Sequence, residues 1–403
     1  MFEDKNKEKV TRKEIADYAV SNADQHSHFL LDMVMRSGKS FVAIELVKYW
    51  NCKSILILSD AIRTNNQWLS NLQEYNPQLL DKVDVYCYHS LHKLDRNKYD
   101  CILLDEFELA RSNKRIEQIF EFTPVHWIAM SGTLSLEDRN DFRMLTSNNF
   151  FTVKIELEDA VKWGIINTPK VICVPLEFDN ENSYLVYRKN NDKKKKTEIV
   201  DFHQRWNSIK NKSVNTWVKC TEEQYHQMLN EDLAWRKELY DTHQTEVFRL
   251  SWLKKGNERK KFFAESKTRW FKRLYSKLPK DSRCLVFCFN TEQADLINAE
   301  LSIHSKNPDS AGLLEAFNNK EINFLGSVKM INRGIDFNSV DYCIILQQDG
   351  SQKASQQQAG RAYLSMIPKI ITFYYPNTQD ETYLRKFLEP FKDEWIFYKK
   401  IED

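Results

Sequence analysis

The feature that most constrains the fold is a series of short apolar runs that recur without polar alternation. They lie at 28–33, 54–59, 100–105, 126–131, 170–175, 283–289, 322–328, 342–346 and 370–375. Runs of this kind are typical of strands that are buried on both faces of a sheet. The stretches 41–50, 64–75 and 111–122, between the early runs, place their apolar residues at helical spacing. The pattern therefore predicts parallel α/β sheets.

The chain is too long for one compact core. It has 403 residues, whereas a domain usually holds roughly 100–200. We predict two α/β domains, 1–165 and 166–403, with a helical insertion at 181–280 in the second. The insertion has almost no Gly or Pro and carries five tryptophans. The hydrophobic content of 42% excludes a disordered chain.

Charge is balanced globally but not locally. The chain has 59 Lys+Arg against 57 Asp+Glu, whereas residues 181–280 have 24 against 13. The eight cysteines mostly lie inside apolar runs, which is typical of buried reduced thiols and not of disulfides or zinc sites. No apolar run approaches the ~18 residues of a membrane span. We expect a cytoplasmic protein without a membrane partner, in the host cytoplasm if it is phage-encoded.

A candidate phosphate loop follows the first apolar run, at residues 33–40. It ends in Gly38-Lys39-Ser40, directly before a helical stretch. Backbone N–H groups, the helix dipole and a lysine ammonium then surround one point, which suits a polyphosphate. Lys39 would contact the β and γ phosphates and Ser40 would bind magnesium. The alternative is an ordinary helix cap.

An acidic pair ends another apolar run. Asp105 and Glu106 would project from the carboxyl end of a strand, which is the edge where open α/β sheets bind ligands. Asp105 can hold magnesium through its water shell, and Glu106 can polarise the attacking water. The alternative is a solvated acidic loop.

The ordered set of motifs resembles superfamily 2 helicases and translocases over roughly residues 25–380, and its compact size is similar to that of phage-encoded DNA helicases. The matching segments are Gly38–Ser40 (motif I), Ser59-Asp60 with Gln67-Trp68 (Ia), Asp105–Glu108 (II), Ser131–Thr133 (III), Val286–Asn290 (IV), Ser327–Asp336 (V) and Gln357–Arg361 (VI).

The resemblance implies an α/β fold with two RecA-like parallel-sheet domains that clamp magnesium-ATP between them. Catalytic roles fall to Lys39, Glu106, Gln357 and Arg361, with Arg361 as an arginine finger from the second domain. The metal ligands are Ser40 and Asp105. The nucleotide-binding residues are Ser37, Gly38, Lys39, Ser40, Gly334, Asp336 and Arg361.

The resemblance also places Ser131 and Thr133 between the ATP site and a nucleic-acid groove. The local surplus of positive charge adds further phosphate contacts. These are Arg259, Lys260, Lys261, Lys267, Arg269, Lys272 and Arg273. The tryptophans of the insertion (206, 217, 235, 252 and 270) could stack on bases, but we expect most of them to form its core.

Five positions depart from the family pattern: Met33, Arg36, Glu108, Gln358 and Leu364. Arg36 replaces a usual glycine, so we expect its side chain to point away from the nucleotide. Leu364 and Gln358 replace frequent arginines, and Glu108 replaces a His or Asp.

The sequence therefore predicts an ATP-dependent nucleic-acid helicase or translocase, with DNA favoured over RNA by its motif texture. One alternative is a duplex remodelling or annealing motor that does not unwind. Another is a non-hydrolysing nucleotide-binding scaffold or adaptor. The sequence is silent on oligomeric state, and a monomer is compatible with it.

Overall fold

The computed structural model describes residues 9–111, 113–180, 184–189, 197–200, 215–328, 337, 340–348, 352–363 and 365–401. Within these ranges the chain forms two parallel sheets flanked by helices, and we call the two halves the first and second lobes. The predicted α/β class is confirmed. None of the described helices has both the length and the apolar character needed to cross a bilayer.

The first lobe contains a six-stranded sheet with the order β3-β2-β4-β5-β1-β6, and every pairing is parallel. Its strands are β1 (His28–Met33), β2 (Ile55–Ser59), β3 (Val83–Cys87), β4 (Cys101–Asp105), β5 (His126–Ser131) and β6 (Phe151–Ile155). Its helices are α1 (Arg12–Ser21), α2 (Lys39–Tyr49), α3 (Ile62–Tyr75), α4 (Asn113–Phe120), α5 (Leu136–Leu145) and α6 (Leu157–Lys162).

The second lobe contains a seven-stranded parallel sheet with the order β12-β13-β11-β14-β15-β7-β16. Its strands are β7 (Lys170–Pro175), β11 (Cys284–Phe287), β12 (Ser302–Ile303), β13 (Phe324–Ser327), β14 (Tyr342–Ile345), β15 (Lys369–Tyr374) and β16 (Ile396–Tyr398). Helices α9 (Thr291–Asn298), α10 (Ser310–Asn318), α11 (Gln352–Ala359) and α12 (Gln379–Leu388) belong to this part of the chain.

The predicted insertion is not purely helical. An antiparallel sheet with the order β10-β8-β9 comes first, followed by two long helices. The elements are β8 (Tyr184–Lys189), β9 (Thr197–Val200), β10 (Asn215–Cys220), α7 (Glu222–His243) and α8 (Glu246–Tyr275). The second half of α8 is part of the second lobe itself, because Phe262, Phe263 and Phe271 are buried in the same apolar cluster as β11 and β15.

Helix α8 crosses the second sheet from its carboxyl edge to its amino edge. Lys267 contacts Gln347, just after β14, whereas Tyr275 packs its ring 5.3 Å from that of Phe324, the first residue of β13. The part of α8 before Phe262 therefore extends past the carboxyl edge, the side on which open α/β sheets bind ligands. Residues 246–261 correspond to about 24 Å of helix at 1.5 Å per residue.

Candidate functional site

A pocket of about 190 Å³ lies at the carboxyl edge of the first sheet, and Arg361 of the second lobe contributes to it. Its lining includes the loop before α2, the end of β4 and one residue of the second lobe, Arg361. The residues that line it are Arg12, Met35, Arg36, Gly38, Lys39, Ser40, Phe41, Asp60, Thr64, Gln67, Trp68, Asn71, Tyr75, Asp105, Glu106 and Arg361. Residues of four separate sequence motifs (I, Ia, II and VI) thus meet in one cavity.

The loop between β1 and α2 has an unusual backbone. Gly38, which precedes the first turn of α2, has φ of 98°, a left-handed conformation that favours glycine. A methyl group on Gly38 would also lie 3.1 Å from Cγ of Arg12. Lys39 donates to the main-chain carbonyls of Met33, at 3.0 Å, and Val34, at 3.4 Å. The lysine side chain therefore folds back along its own loop.

Arg36 is one of two non-glycine residues of the pocket with left-handed backbone. Its φ is 69°, and that of Glu106 is 48°. A left-handed conformation is uncommon for such residues and concentrates at functional sites. This backbone requirement explains why glycine is usual at the position of Arg36. We expected Arg36 to lie away from the nucleotide, but it belongs to the lining of the pocket.

The carboxylate of Asp105 is held by a buried tryptophan. Trp68, which is 2% exposed, donates its indole N–H to Asp105 Oδ2 at 2.8 Å. Tyr88 donates its hydroxyl to the main-chain carbonyl of Asp105 at 2.9 Å. Burial raises the pKa of Asp105 to about 6, and the Trp68 hydrogen bond and the charge of Lys39 oppose this rise. The site thus carries a desolvated acid beside a cation.

Of the described residues predicted for nucleotide binding or catalysis, Ser37 and Gln357 are not in the pocket lining. Ser37 is fully buried, and its hydroxyl donates to the carbonyl of Val34 at 2.6 Å. Gln357 is 5% exposed and likewise outside the lining. Arg361 is 4% exposed and does line the pocket, from the short 3₁₀ turn Gly360–Ala362. Gly334, Asp336 and Leu364 lie outside the described residues.

The end of β5 and the residues after it contain two predicted site residues, Ser131 and Thr133. Ser131 is fully buried, and its hydroxyl accepts a hydrogen bond from the amide of Thr133 at 3.1 Å. Direct contact of Ser131 with a nucleic acid is therefore excluded in this arrangement. The hydroxyl of Thr133 donates to Glu108 Oε1 at 3.3 Å, so Glu108 bonds within the first lobe. Thr133 also lines a second cleft, of about 610 Å³, together with Gln356 and Lys392 of the second lobe.

The prediction that Lys267 contacts nucleic acid is wrong. Its side chain is fully buried and pairs with Asp380, with Nζ 2.7 Å from Oδ2, and it donates to Gln347 Oε1 at 2.9 Å. Burial lowers the pKa of the Lys267 ammonium, and the charge of Asp380 opposes that effect. Lys267 fastens α8 to the second sheet.

The other basic candidates of α8 differ in their surroundings. Arg269 forms two charge-assisted hydrogen bonds with Glu222, which is itself buried, and Arg259 donates to Asn230 of α7 at 2.8 Å. Lys261 and Lys272 are exposed. Lys260 lies 5.4 Å from the ring of Tyr383. Only part of the predicted set is therefore available to a phosphate backbone.

Positive charge in the predicted insertion is separated along the chain. Residues 221–258, which contain α7 and the start of α8, have five Lys+Arg against eight Asp+Glu. Residues 259–280 have nine against one. Residues 221–258, which we call the helical arm, are thus mildly acidic. The basic character belongs to residues 259–280, which contain the part of α8 that packs on the second lobe.

The tryptophans of this region are only partly core residues. Trp235 is 39% exposed, and Trp252 stacks on Tyr240 at a ring distance of 5.9 Å. Trp270 packs against the apolar cluster of the second lobe. The side chains of Trp206 and Trp217 lie outside the described residues.

The roles of several pocket residues could not be identified from the sequence. Arg12 opens α1, after the capping residue Thr11, and carries no motif of its own. Met35 lies within the candidate phosphate loop but outside its Gly-Lys-Ser motif, and Trp68 was identified only as part of motif Ia. The Trp-Asp hydrogen bond joins residues 37 positions apart. One sequence feature could have indicated that Trp68 lies near Asp105: α3, which carries Trp68, follows β2, and β2 is the neighbour of β4 in the sheet.

Residues 266–363 match the family model described as "Helicase conserved C-terminal domain". The crystal structure of the Pyrococcus furiosus Hef helicase domain aligns with a TM-score of 0.49 and 13% identity, over 94% of this chain and 97% of that chain. S. cerevisiae Dbp5 bound to RNA and ADP BeF3 aligns with a TM-score of 0.59 and 10% identity, over 97% and 90%. No curated protein matches the sequence.

The likeness to Dbp5 concerns the fold, and the family match concerns the second lobe. Together with the two parallel sheets they establish the architecture of two RecA-like domains. The chain therefore shares the fold of the Dbp5 structure, and residues 266–363 of its second lobe are similar to the helicase conserved C-terminal domain.

Proposed function

We propose that this chain is an ATP-dependent nucleic-acid helicase or translocase that hydrolyses ATP between its two lobes. One observation carries the proposal: a single pocket is lined by Lys39, the pair Asp105 and Glu106, and Arg361 from the opposite lobe. An ammonium, two carboxylates and a guanidinium are the groups that phosphoryl transfer to water requires.

The donor set fits a magnesium-bound triphosphate. The N-terminus of α2 and Lys39 supply positive potential for phosphates. Magnesium is usually bound through one or two protein ligands together with phosphate oxygens and water, and the Ser40 hydroxyl and Asp105 carboxylate are suitable ligands in the lining. When bound, the ion would neutralise phosphate charge. Glu106 would orient the attacking water, and Arg361 would stabilise the charge of the transition state.

The division of these groups between lobes supplies a reason for movement. Hydrolysis needs Arg361 and the phosphate loop together, and they belong to different lobes. Cleft closure would therefore be coupled to chemistry, and reopening to product release.

The nucleic acid would run along the carboxyl edges of the sheets. Lys260 and Lys261 precede the point at which α8 crosses onto the second sheet, and they stand on that side. Thr133 would link this track to the pocket. We keep DNA as the favoured polymer on the motif resemblance, although Dbp5 is a protein bound to RNA.

The first test is phosphate release by the wild type and Lys39→Ala, with no polymer and with single- or double-stranded DNA or RNA. We expect release to rise with polymer and to fall to background in K39A, because the β and γ phosphates lose their cation. K39A should keep the wild-type melting temperature. Wild-type turnover in K39A would show that Lys39 does not bind the phosphates.

Two further assays separate the alternatives. A scaffold or adaptor would bind nucleotide without releasing phosphate under any of these conditions. A remodelling motor would hydrolyse ATP and displace a triplex strand, but would fail to separate a duplex. A helicase would also displace the duplex strand.

A further inference from the structure

The two lobes touch at a point next to Arg361. A methyl group added to Gly360 would lie 2.7 Å from Sδ of Met35, 3.2 Å from its Cβ and 3.3 Å from its Cε. The side chain of Met35, which belongs to the phosphate loop, therefore lies along its length against the α carbon of Gly360. A side chain at that position would force Met35 to move.

The glycine is needed for space and not for its backbone conformation. Gly360 is not in the left-handed region, in contrast to Gly38. The residues before and after its 3₁₀ turn are right-handed, with φ of −58° at Ala359 and −62° at Tyr363. Alanine would fit this backbone without strain. What opposes it is the thioether side chain from the other lobe, which would have to move.

The contact lies where it can control the reach of the arginine. Met35 and Arg361 both line the nucleotide pocket, and Arg361 directly follows Gly360 in a buried 3₁₀ turn. On the opposite side, the amide of Met35 would be 3.4 Å from a methyl group on Gly132, after β5. Met35 is thus packed between its own lobe and the turn that carries Arg361.

We propose that Met35 is a positioning residue. When the lobes close, its side chain contacts Gly360 and limits how closely the lobes approach. This contact, which we call the seat, sets how far Arg361 enters the pocket. The inference rests on the proposed ATP hydrolysis. An unbranched thioether adapts its shape, so it can keep contact through small lobe movements. The specific consequence is that the need for glycine at 360 depends on the residue at 35.

Gly360→Ala, Met35→Ala and the double variant test this dependence. We expect G360A to lower kcat for ATP hydrolysis by about tenfold with little change in KM, because a misplaced group that acts in the transition state costs rate and not ground-state binding. The double variant should recover to within about threefold of M35A, as expected for residues in direct contact.

Gly312→Ala is the matched control. A methyl group there would lie 2.7 Å from Oδ1 of Asp309, in α10 of the same lobe. It therefore reproduces the close approach away from the pocket. We expect wild-type kinetics from G312A.

Lobe closure gives a readout that does not depend on hydrolysis. Fluorescent labels on M144C of α5 and L296C of α9, both exposed positions, would report the distance between lobes on adding adenosine 5′-(β,γ-imido)triphosphate. We expect G360A to close less than the wild type, and M35A and G360A/M35A to close equally. If the wild type does not hydrolyse ATP but the variants show this pattern of closure, the proposed function is wrong and the proposed contact between Met35 and Gly360 still holds.

The seat itself is wrong if the double variant is no faster and closes no further than G360A. It is also wrong if G360A matches the wild type in both measurements. Should G360A fold poorly, the comparison of M35A with the double variant decides alone: equal kinetics and closure support the seat, and a further loss in the double variant contradicts it.

Discussion

At the scale of single residues, the pocket depends on groups that hold the reacting side chains. The indole N–H of Trp68 donates to one oxygen of the Asp105 carboxylate, which leaves the other oxygen for an ion. Partners of this kind fix the orientation of a metal ligand, and their loss typically costs about 10–100-fold in metal affinity. Trp68 therefore matters to the site although it carries no charge.

Trp68→Phe removes this donor and keeps most of the ring. We expect Mn²⁺ binding in the presence of ADP, followed by electron paramagnetic resonance, to weaken by about tenfold. Tyr88→Phe is the control, since Tyr88 bonds the main-chain carbonyl of Asp105 and not its carboxylate. Equal affinity in the wild type and W68F would show that the indole does not orient the ligand.

At the scale of elements, α8 joins two functions in one helix. Its second half packs on the second sheet through buried phenylalanines and the Lys267–Asp380 pair, and its first half extends past the carboxyl edge with α7. The pair is fully buried, so removing one partner leaves an uncompensated charge. The direction in which the arm points depends on this attachment.

Lys267→Met should lower the free energy of unfolding by about 3–5 kcal/mol, because Asp380 would remain buried without its partner. Urea denaturation measures this loss. Adding Asp380→Asn removes the second charge and should recover part of the stability. An unchanged midpoint in K267M would show that the buried pair does not fasten α8.

The basic residues of α8 lie near different edges of the second sheet, so we expect them to contribute differently to nucleic-acid binding. Lys260→Gln with Lys261→Gln should reduce the slope of log affinity against log salt by about 1.5, because two phosphate contacts are lost. Lys272→Gln with Arg273→Gln, nearer the amino edge, should leave the slope unchanged. Arg269 is not used, since its substitution would strand the buried carboxylate of Glu222. A larger change of slope in the Lys272/Arg273 variant would show that the nucleic acid binds at the amino edge of the second sheet instead.

At the scale of the whole molecule, central strands could be predicted and edge strands could not. The apolar runs of β1, β2, β4 and β5 reflect burial on both faces. Strand β3, at the edge of the first sheet, is only half-buried along most of its length, so it offers no such run.

The site followed the same logic. Residues that carry motifs, such as Lys39 and Asp105, could be identified because chemistry restricts their type and order. Arg12, Met35 and Trp68 act through contacts between distant parts of the chain. Such contacts leave no local pattern, which is also why the burial of Lys267 was not foreseen.

The proposed hydrolysis requires Arg361 to complete the ATP site from the second lobe. The most direct measurement compares Arg361→Ala with the wild type for binding of the imido analogue and for polymer-stimulated phosphate release. We predict similar analogue affinity and hydrolysis slower by about 10³-fold, since an arginine finger acts on transition-state charge. Wild-type rates of phosphate release in R361A would contradict the account.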